Sequence, residues 1–263
     1  MKVLVLISFI LSTNLVSTFL FPVKPIPVKT YVRSFKSENI SSLADIKVTE
    51  PYFRSNRNTS AIVFFTGGNN VIIDDIYKNF LHNLAYNHFS VYTPSFRYPN
   101  YELLAKQLYN EYQHVLVIGH SSGAVPAINF CKNNSYTQKL VLLDGVNPNI
   151  FNQGEIFQTQ GIKRVLLLNA EKSYKFNWRP FGIPFIPFFG IKKKNFNISN
   201  GCLVQKIKAE DYGHSDILDP DYSNLMHGLR LSVGNNNRTE SNLYQYHSWL
   251  AQTINSFKYS RLD

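Results

Sequence analysis

A chain of 263 residues with 44% apolar and 14% aromatic content can bury a large core as one domain, which excludes a disordered or low-complexity protein. Its formal net charge of +10 raises nucleic acid or anionic lipid as partners, but Lys2, Lys24, Lys29, Arg33 and Lys36 lie in an acid-free stretch before residue 38, and the other basic residues are scattered without a nucleic-acid-binding module. The reading is a solvated basic surface with no nucleic-acid partner; Cys131 and Cys202 have no metal-ligand spacing, and neither a metal nor an organic cofactor is expected.

At the amino terminus, Met1-Lys2 precedes a short apolar run, Val3 to Leu11, and then small residues up to Ser17. That order describes a signal peptide over residues 1–21 better than a membrane span, which needs about 20 apolar residues. Residues 22–44 are basic and acid-poor, like a transit or linker segment, and the domain is placed at 45–263. With the Phe19-Leu20-Phe21 run near Ser17, the leader resembles the two-part leaders of algae with secondary plastids. Entry to the secretory pathway, with delivery to such a plastid or secretion, is the expectation.

Ile46 to Phe53 reads as an early strand pair with a turn. Ala61 to Phe65 is a continuous apolar run, hence a buried strand, leading into Thr66-Gly67-Gly68-Asn69. Asp74 to Asn87 follows with Ile76, Phe80 and Leu84 at helical spacing, and Ser90 to Phe96 is another strand stopped near Pro94. Tyr101 to Gln113 reads as a helix with Leu103, Leu104 and Leu108 inside. Val115 to Ile118 is a strand that ends in Gly119-His120-Ser121-Ser122-Gly123, with a helix from Ser122 to about Asn133. Strands follow at Lys139–Leu143, Arg164–Leu168 and Leu203–Ala209, and a final helix at about Ser241–Phe257. Continuous apolar strands alternating with helices predict an α/β fold, a mostly parallel central sheet covered by helices on both faces.

Strand, Gly-x-Ser-x-Gly turn and helix make the context of a nucleophile elbow, in which a serine on a strained turn stands proud of the sheet edge. Ser121 is therefore the expected nucleophile. Acyl transfer by serine also needs a base, an acid to orient it and donors for the oxyanion. His214 is the expected base, because it sits in a loop after the last strand, between Gly213 and Ser215. His120 is read as lining the pocket or packing. Asp144 and Glu171 each end a strand between Ser121 and His214; Asp144 is favoured as the acid, with Glu171 the alternative. The expected oxyanion donors are the amides of Ser122, which follows the nucleophile, and Gly68, in the loop after the Ala61–Phe65 strand.

Taken together these residues resemble the α/β-hydrolase fold and, more narrowly, the chlorophyllase family. Asp211-Tyr212-Gly213-His214-Ser215-Asp216-Ile217-Leu218-Asp219 is similar to that family's segment around its catalytic histidine. Phe65-Thr66-Gly67-Gly68-Asn69 stands where the family has a strand and a His-Gly oxyanion loop, and Leu143-Asp144-Gly145-Val146 is similar to the segment bearing its acid. Ser122-Gly123-Ala124 stands where the family usually has Arg-Gly-Gly. The resemblance spans roughly residues 60–220 and implies hydrolysis of the phytyl ester of chlorophyll to chlorophyllide and phytol. A lipase or general carboxylesterase, and a non-catalytic binding protein on the same scaffold, remain alternatives.

Residues 176–194 add a proline-broken apolar insert before the last strands, with Trp178, Phe185, Phe188 and Phe189 followed by Lys192-Lys193-Lys194. Such a surface suits a lid over a hydrophobic ester substrate or a peripheral membrane contact; folding back onto the core is the other reading.

Overall fold

The computed structural model describes residues 27–37, 40–52, 60–95, 101–134, 139–146, 162–175, 202–229, 232, 234 and 239–259. The apolar insert at 176–194 and the leader up to residue 26 lie outside them. The strands are β1 (Val28–Ser37), β2 (Ile40–Pro51), β3 (Ser60–Phe65), β4 (Phe89–Pro94), β5 (His114–His120), β6 (Lys139–Leu143), β7 (Arg164–Ala170) and β8 (Leu203–Ala209). Between and after them run α1 (Gly67–Asn70), α2 (Lys78–Tyr86), α3 (Tyr101–Glu111), α4 (Ala124–Asn133), α5 (Pro220–Gly228) and α6 (Glu240–Tyr259).

Among the described residues the eight strands form one sheet in the order β1-β2-β4-β3-β5-β6-β7-β8. The pairs β1–β2 and β2–β4 are antiparallel, and every other neighbouring pair is parallel. The sheet starts earlier than the sequence suggested. Val28 pairs with Pro51 and Thr30 with Thr49, so the boundary drawn at residue 45 falls inside β2. The strand pair expected within Ile46–Phe53 is instead one strand, β2, whose antiparallel partners are β1 on one side and β4 on the other.

The period-2 alternation of side chains explains why the central strands are apolar throughout. Val63, Phe65, Val117, Leu140, Leu142 and Val165 face one side, where Leu104 and Leu108 of α3 and Ala127, Ile128 and Cys131 of α4 cover them. Ile62, Phe64, Leu116, Ile118, Val141 and Leu166 face the other, against Phe80 and Leu84 of α2 and Leu250 and Ile254 of α6. With helices on both faces, the middles of these strands are buried on both sides, and the polar residues His114, Lys139, Arg164 and Asn169 stand at or near their ends. Leu203 to Lys208 of the edge strand β8 are exposed or half-exposed, with Lys206 and Lys208 marking an edge that discourages further pairing.

The register of the parallel strands places the site. Phe65 is opposite Gly119, His120 opposite Leu143, Leu143 opposite Leu168, and Ala170 opposite Ala209. The loops that follow β3, β5, β6, β7 and β8 therefore all leave from one edge of the sheet. That carboxyl edge is where open α/β sheets bind ligands.

Candidate active site

Ser121 follows β5 with φ +54°, a left-handed conformation that a side-chain-bearing residue adopts only under strain. Residues Ser121–Gly123 form a 3-10 turn that passes directly into α4. The two glycines of the motif have separate steric reasons. A Cβ on Gly119 would lie 2.6 Å from the Gly123 carbonyl oxygen and 2.8 Å from Ala124 Cα, in the backbone of the turn and helix it must pass. A Cβ on Gly123 would lie 2.2 Å from the Thr66 oxygen and 2.5 Å from the Phe65 oxygen, in the end of β3.

Asp144 is the first residue after β6 and also has positive φ, +46°. Its amide donates to the Leu168 oxygen at 2.7 Å, which ties the turn to β7. The carboxylate is buried. One oxygen, Oδ2, lies 2.5 Å from His214 Nδ1, and the other, Oδ1, lies 2.7 Å from Ser173 Oγ. His214 Nε2 lies 2.9 Å from Ser121 Oγ. A carboxylate at Nδ1 keeps the proton on that nitrogen and leaves the Nε2 lone pair facing the serine hydroxyl. Ser121, His214 and Asp144 thus form one hydrogen-bonded line.

Glu171 ends up elsewhere. It opens a 3-10 turn after β7 and accepts from Lys208 Nζ at 2.7 Å and from the Asp211 amide at 2.9 Å. The Asp211 amide first and Lys208 second hold its carboxyl below the ordinary range. It braces the start of the histidine loop from outside and makes no hydrogen bond to the imidazole.

The histidine loop is built on Asp216, which is fully buried. Its Oδ2 accepts from the Gly213 amide at 2.8 Å and its Oδ1 from Ser223 Oγ at 3.2 Å. Its carbonyl lies 3.0 Å from Nε2 of the buried His247. Burial pushes His247 down to about 4, so it is neutral at pH 7 and Nε2 carries the proton. Too near His214 in sequence to orient its ring, Asp216 instead fixes the backbone on which the ring stands.

The loop expected to supply an oxyanion donor, residues 66–72, is closed by its own side chains. Asn70 Oδ1 accepts from the Thr66 amide at 3.0 Å, and Asn70 Nδ2 donates to the Pro94 oxygen at 2.6 Å. Thr66 Oγ1 donates to the Ile72 oxygen at 2.5 Å. Gly67 is buried, and its amide donates to Tyr77 Oη at 3.2 Å. Gly68 is exposed, with φ +62°. Its amide lies in the first turn of α1, where no intrahelical acceptor exists. Of the two glycines, Gly67 already has its amide on Tyr77 Oη, and Gly68 is the exposed one. Ser122, the other expected donor, is buried in the 3-10 turn behind Ser121.

Sequence reasoning missed three participants: Tyr77, Ser173 and the bonding role of His120. A buried tyrosine needs a partner for its hydroxyl, which is a usable signal, but nothing local says that the partner lies 43 residues on. Among the described residues no cluster of His, Cys, Asp and Glu is arranged to hold a metal ion, and no helix is long and apolar enough to cross a membrane.

No family model matches the sequence, and no curated protein matches it. Solved structures do. An esterase from Pyrobaculum calidifontis superposes with a TM-score of 0.53 at 12% identity, covering 88% of this chain and 86% of the other. The esterase domain of a Rhodothermus marinus protein gives 0.52 at 10%, covering 88% and 99%. A dienelactone hydrolase-like promiscuous phosphotriesterase from metagenomic libraries gives 0.51 at 11%, covering 86% and 98%. The fold is that of the α/β-hydrolases. At these identities the likeness establishes the scaffold, and an α/β-hydrolase scaffold carries a Ser-Asp-His line in the chain order found here, 121, 144, 214.

Proposed function

We propose that the protein is a serine esterase that cleaves a carboxylic ester of a hydrophobic substrate, chlorophyllase-like in its chemistry. The observation that carries this is the line from strained Ser121 through His214 to Asp144, at 2.9 and 2.5 Å. His214 Nε2 takes the hydroxyl proton as Ser121 Oγ attacks the ester carbonyl. The Gly68 and Ser122 amides receive the oxyanion, and removing one such donor typically costs about 2.7–4 kcal/mol of barrier. The tetrahedral species collapses, and His214 returns the proton to the leaving alcohol. Water then attacks the acyl-enzyme with His214 again as base, releasing the acid and free Ser121.

Two further observations support a carboxylic ester of apolar character. The neighbours named above include esterases on the same scaffold. Val71 and Ile72 at the end of the oxyanion loop and Ile73 just after it stand exposed, at 57%, 40% and 62%, and offer an apolar acyl or alcohol chain a surface to lie against. The chlorophyll ester itself rests on the resemblance around His214.

A fluorophosphonate probe should label Ser121 in the wild-type protein and not in Ser121→Ala. Incubation with chlorophyll should give chlorophyllide and phytol. Turnover of p-nitrophenyl esters without chlorophyll would make the protein a general carboxylesterase or lipase, and an unlabelled Ser121 would make it a binding protein on a hydrolase scaffold. The same reading includes a leader that enters the secretory pathway towards a plastid and a membrane contact through residues 176–194. Secretion or endoplasmic-reticulum retention of a reporter carrying residues 1–40 would refute the plastid route. Liposome binding unchanged by Phe185→Ser, Phe188→Ser and Phe189→Ser together would refute the membrane contact.

A further inference from the structure

Tyr77 and His120 exchange no proton with Ser121, yet they join three separate parts of the site. The Gly67 amide lies 3.2 Å from Tyr77 Oη, Tyr77 Oη lies 2.8 Å from His120 Nδ1, and His120 Nε2 lies 3.2 Å from the His214 carbonyl oxygen. Every proton in this chain has one possible place. The Gly67 N–H can only donate, so the Tyr77 oxygen accepts there and gives its own proton to His120 Nδ1. A neutral imidazole that accepts at Nδ1 carries its proton on Nε2, and that N–H meets a carbonyl that can only accept. Burial first, and the neighbouring His214 second, push His120 down to about 3, which keeps it neutral at pH 7.

The parts so joined are the loop bearing Gly68, the residue before Ser121 and the backbone of His214. Tyr77 is fully buried and His120 nearly so, so neither reaches a substrate. Their rings pack edge-on against each other with centroids 5.5 Å apart; Tyr77 is also edge-on to Phe64 at 5.2 Å, and His120 lies 4.9 Å from the His214 ring. The Gly67 position also lies close to the nucleophile, because a Cβ there would be 3.3 Å from Tyr77 Oη and 3.5 Å from Ser121 Cβ. The Gly67 amide is taken by Tyr77 Oη, and the next amide along the loop is that of Gly68.

We propose that Tyr77 and His120 are positioning residues, a buried hydrogen-bond relay that sets the oxyanion loop and the His214 loop against each other across the nucleophile. The inference rests on the serine esterase reading. Tyr77→Phe keeps the ring and removes the hydroxyl. His120→Asn keeps an amide near Nδ1 and removes the Nε2 N–H to His214.

The test is the rate of Ser121 labelling by a fluorophosphonate, measured against probe concentration on protein confirmed folded by circular dichroism. Tyr77→Phe should lower the maximal labelling rate on the order of 10-fold or more, since a small misplacement is costly in such sites. The half-saturating concentration should stay unchanged, and Tyr77→Phe/His120→Asn should be no slower than the worse single variant. Nitrogen-15 NMR of the wild-type protein should show His120 as the neutral Nε2–H tautomer at pH 7. Wild-type labelling with an unchanged maximal rate in Tyr77→Phe, additive loss in the double variant, or the other tautomer would overturn the relay and leave the esterase reading standing. A wild-type protein that does not label at Ser121 would overturn that reading and the relay with it.

Discussion

Gly123→Ala puts the architecture of the elbow under direct strain. The added methyl would sit 2.2 Å from the Thr66 oxygen and 2.5 Å from the Phe65 oxygen, about 1 Å inside the roughly 3.3 Å at which carbon meets a carbonyl oxygen. Both obstacles are backbone, and neither yields by a rotamer change. Phe65 is paired to Gly119 in the sheet, and α4 is packed through Ala127, Ile128 and Cys131. Relief therefore separates α4 from the end of β3, which carries the nucleophile away from the oxyanion loop. Overpacking of this kind costs about 1–3 kcal/mol or somewhat more. The molecules that still fold should lose on the order of 100-fold in labelling rate, because a displacement of about 1 Å is enough for that. Gly228 is the control. It ends α5, nothing lies within 4 Å of its would-be Cβ, and Ala there should leave stability unchanged or raise it by up to about 1 kcal/mol. Urea unfolding and fluorophosphonate labelling of both variants decide the matter. A Gly123→Ala protein with wild-type stability and labelling would refute the steric reading of the motif.

The two acids separate cleanly: Asp144→Asn should lower kcat by about 10⁴-fold, as expected when the orienting carboxylate of such a triad is neutralised, while Glu171→Gln should stay within about threefold in kcat on p-nitrophenyl esters. The reverse pattern would reassign the acid. Ser173→Ala, which removes the 2.7 Å contact to Asp144 Oδ1, should cost about 1 kcal/mol in urea unfolding and a smaller factor in kcat than Asp144→Asn. Stability should fall as pH drops from about 6.5 towards 4. His120 and His247 are held neutral, at about 3 and about 4, so the unfolded chain binds protons that the folded one refuses, with a slope of up to about 1.4 kcal/mol per pH unit for each. Asp219, pushed up to about 6 by burial, works oppositely and gains stability as pH falls through 6, so Asp219→Asn should lose stability more steeply between pH 6 and 4 than the wild type. A pH-independent unfolding midpoint over this range would refute both signs.

The buried parallel strands were legible because a sheet covered on both faces requires unbroken apolar runs, as at Ala61–Phe65 and Leu140–Leu143. The first strand was not. Val28-Lys29-Thr30-Tyr31-Val32-Arg33 puts its basic residues on an edge strand, where Arg33 reaches Glu111 at 2.5 Å and Lys29 reaches Glu50 at 3.2 Å. Without sight of those acids, 78 and 21 positions on, the stretch reads as an acid-free leader. The choice between Asp144 and Glu171 was undecidable from spacing, since each stands at the end of a neighbouring strand. What separates them is local backbone: a left-handed residue at 144 aims the carboxylate inward, and a 3-10 turn at 171 sends the other towards Lys208.

Ser121 and Asp144 are two of the side-chain-bearing residues with positive φ, and each such conformation costs about 1–3 kcal/mol and persists only where its surroundings fix it. The surroundings here are mutual. The Val146 amide donates to the Ser121 carbonyl at 2.9 Å, so the turn that aims the acid also pins the backbone of the nucleophile. The Asp144 amide is held by Leu168, and the His214 loop is braced from the 3-10 turn after β7 by the Lys172 amide on the Tyr212 carbonyl at 2.8 Å. Strain at the elbow is therefore carried by the neighbouring strand end rather than by the elbow itself. The Gly-x-Ser-x-Gly pattern supplies only the steric room for the strained turn, and the residues that keep it strained lie 25 and 47 positions away, at Val146 and Leu168. A serine in the same five-residue pattern, without those two contacts, would relax and withdraw its hydroxyl from His214.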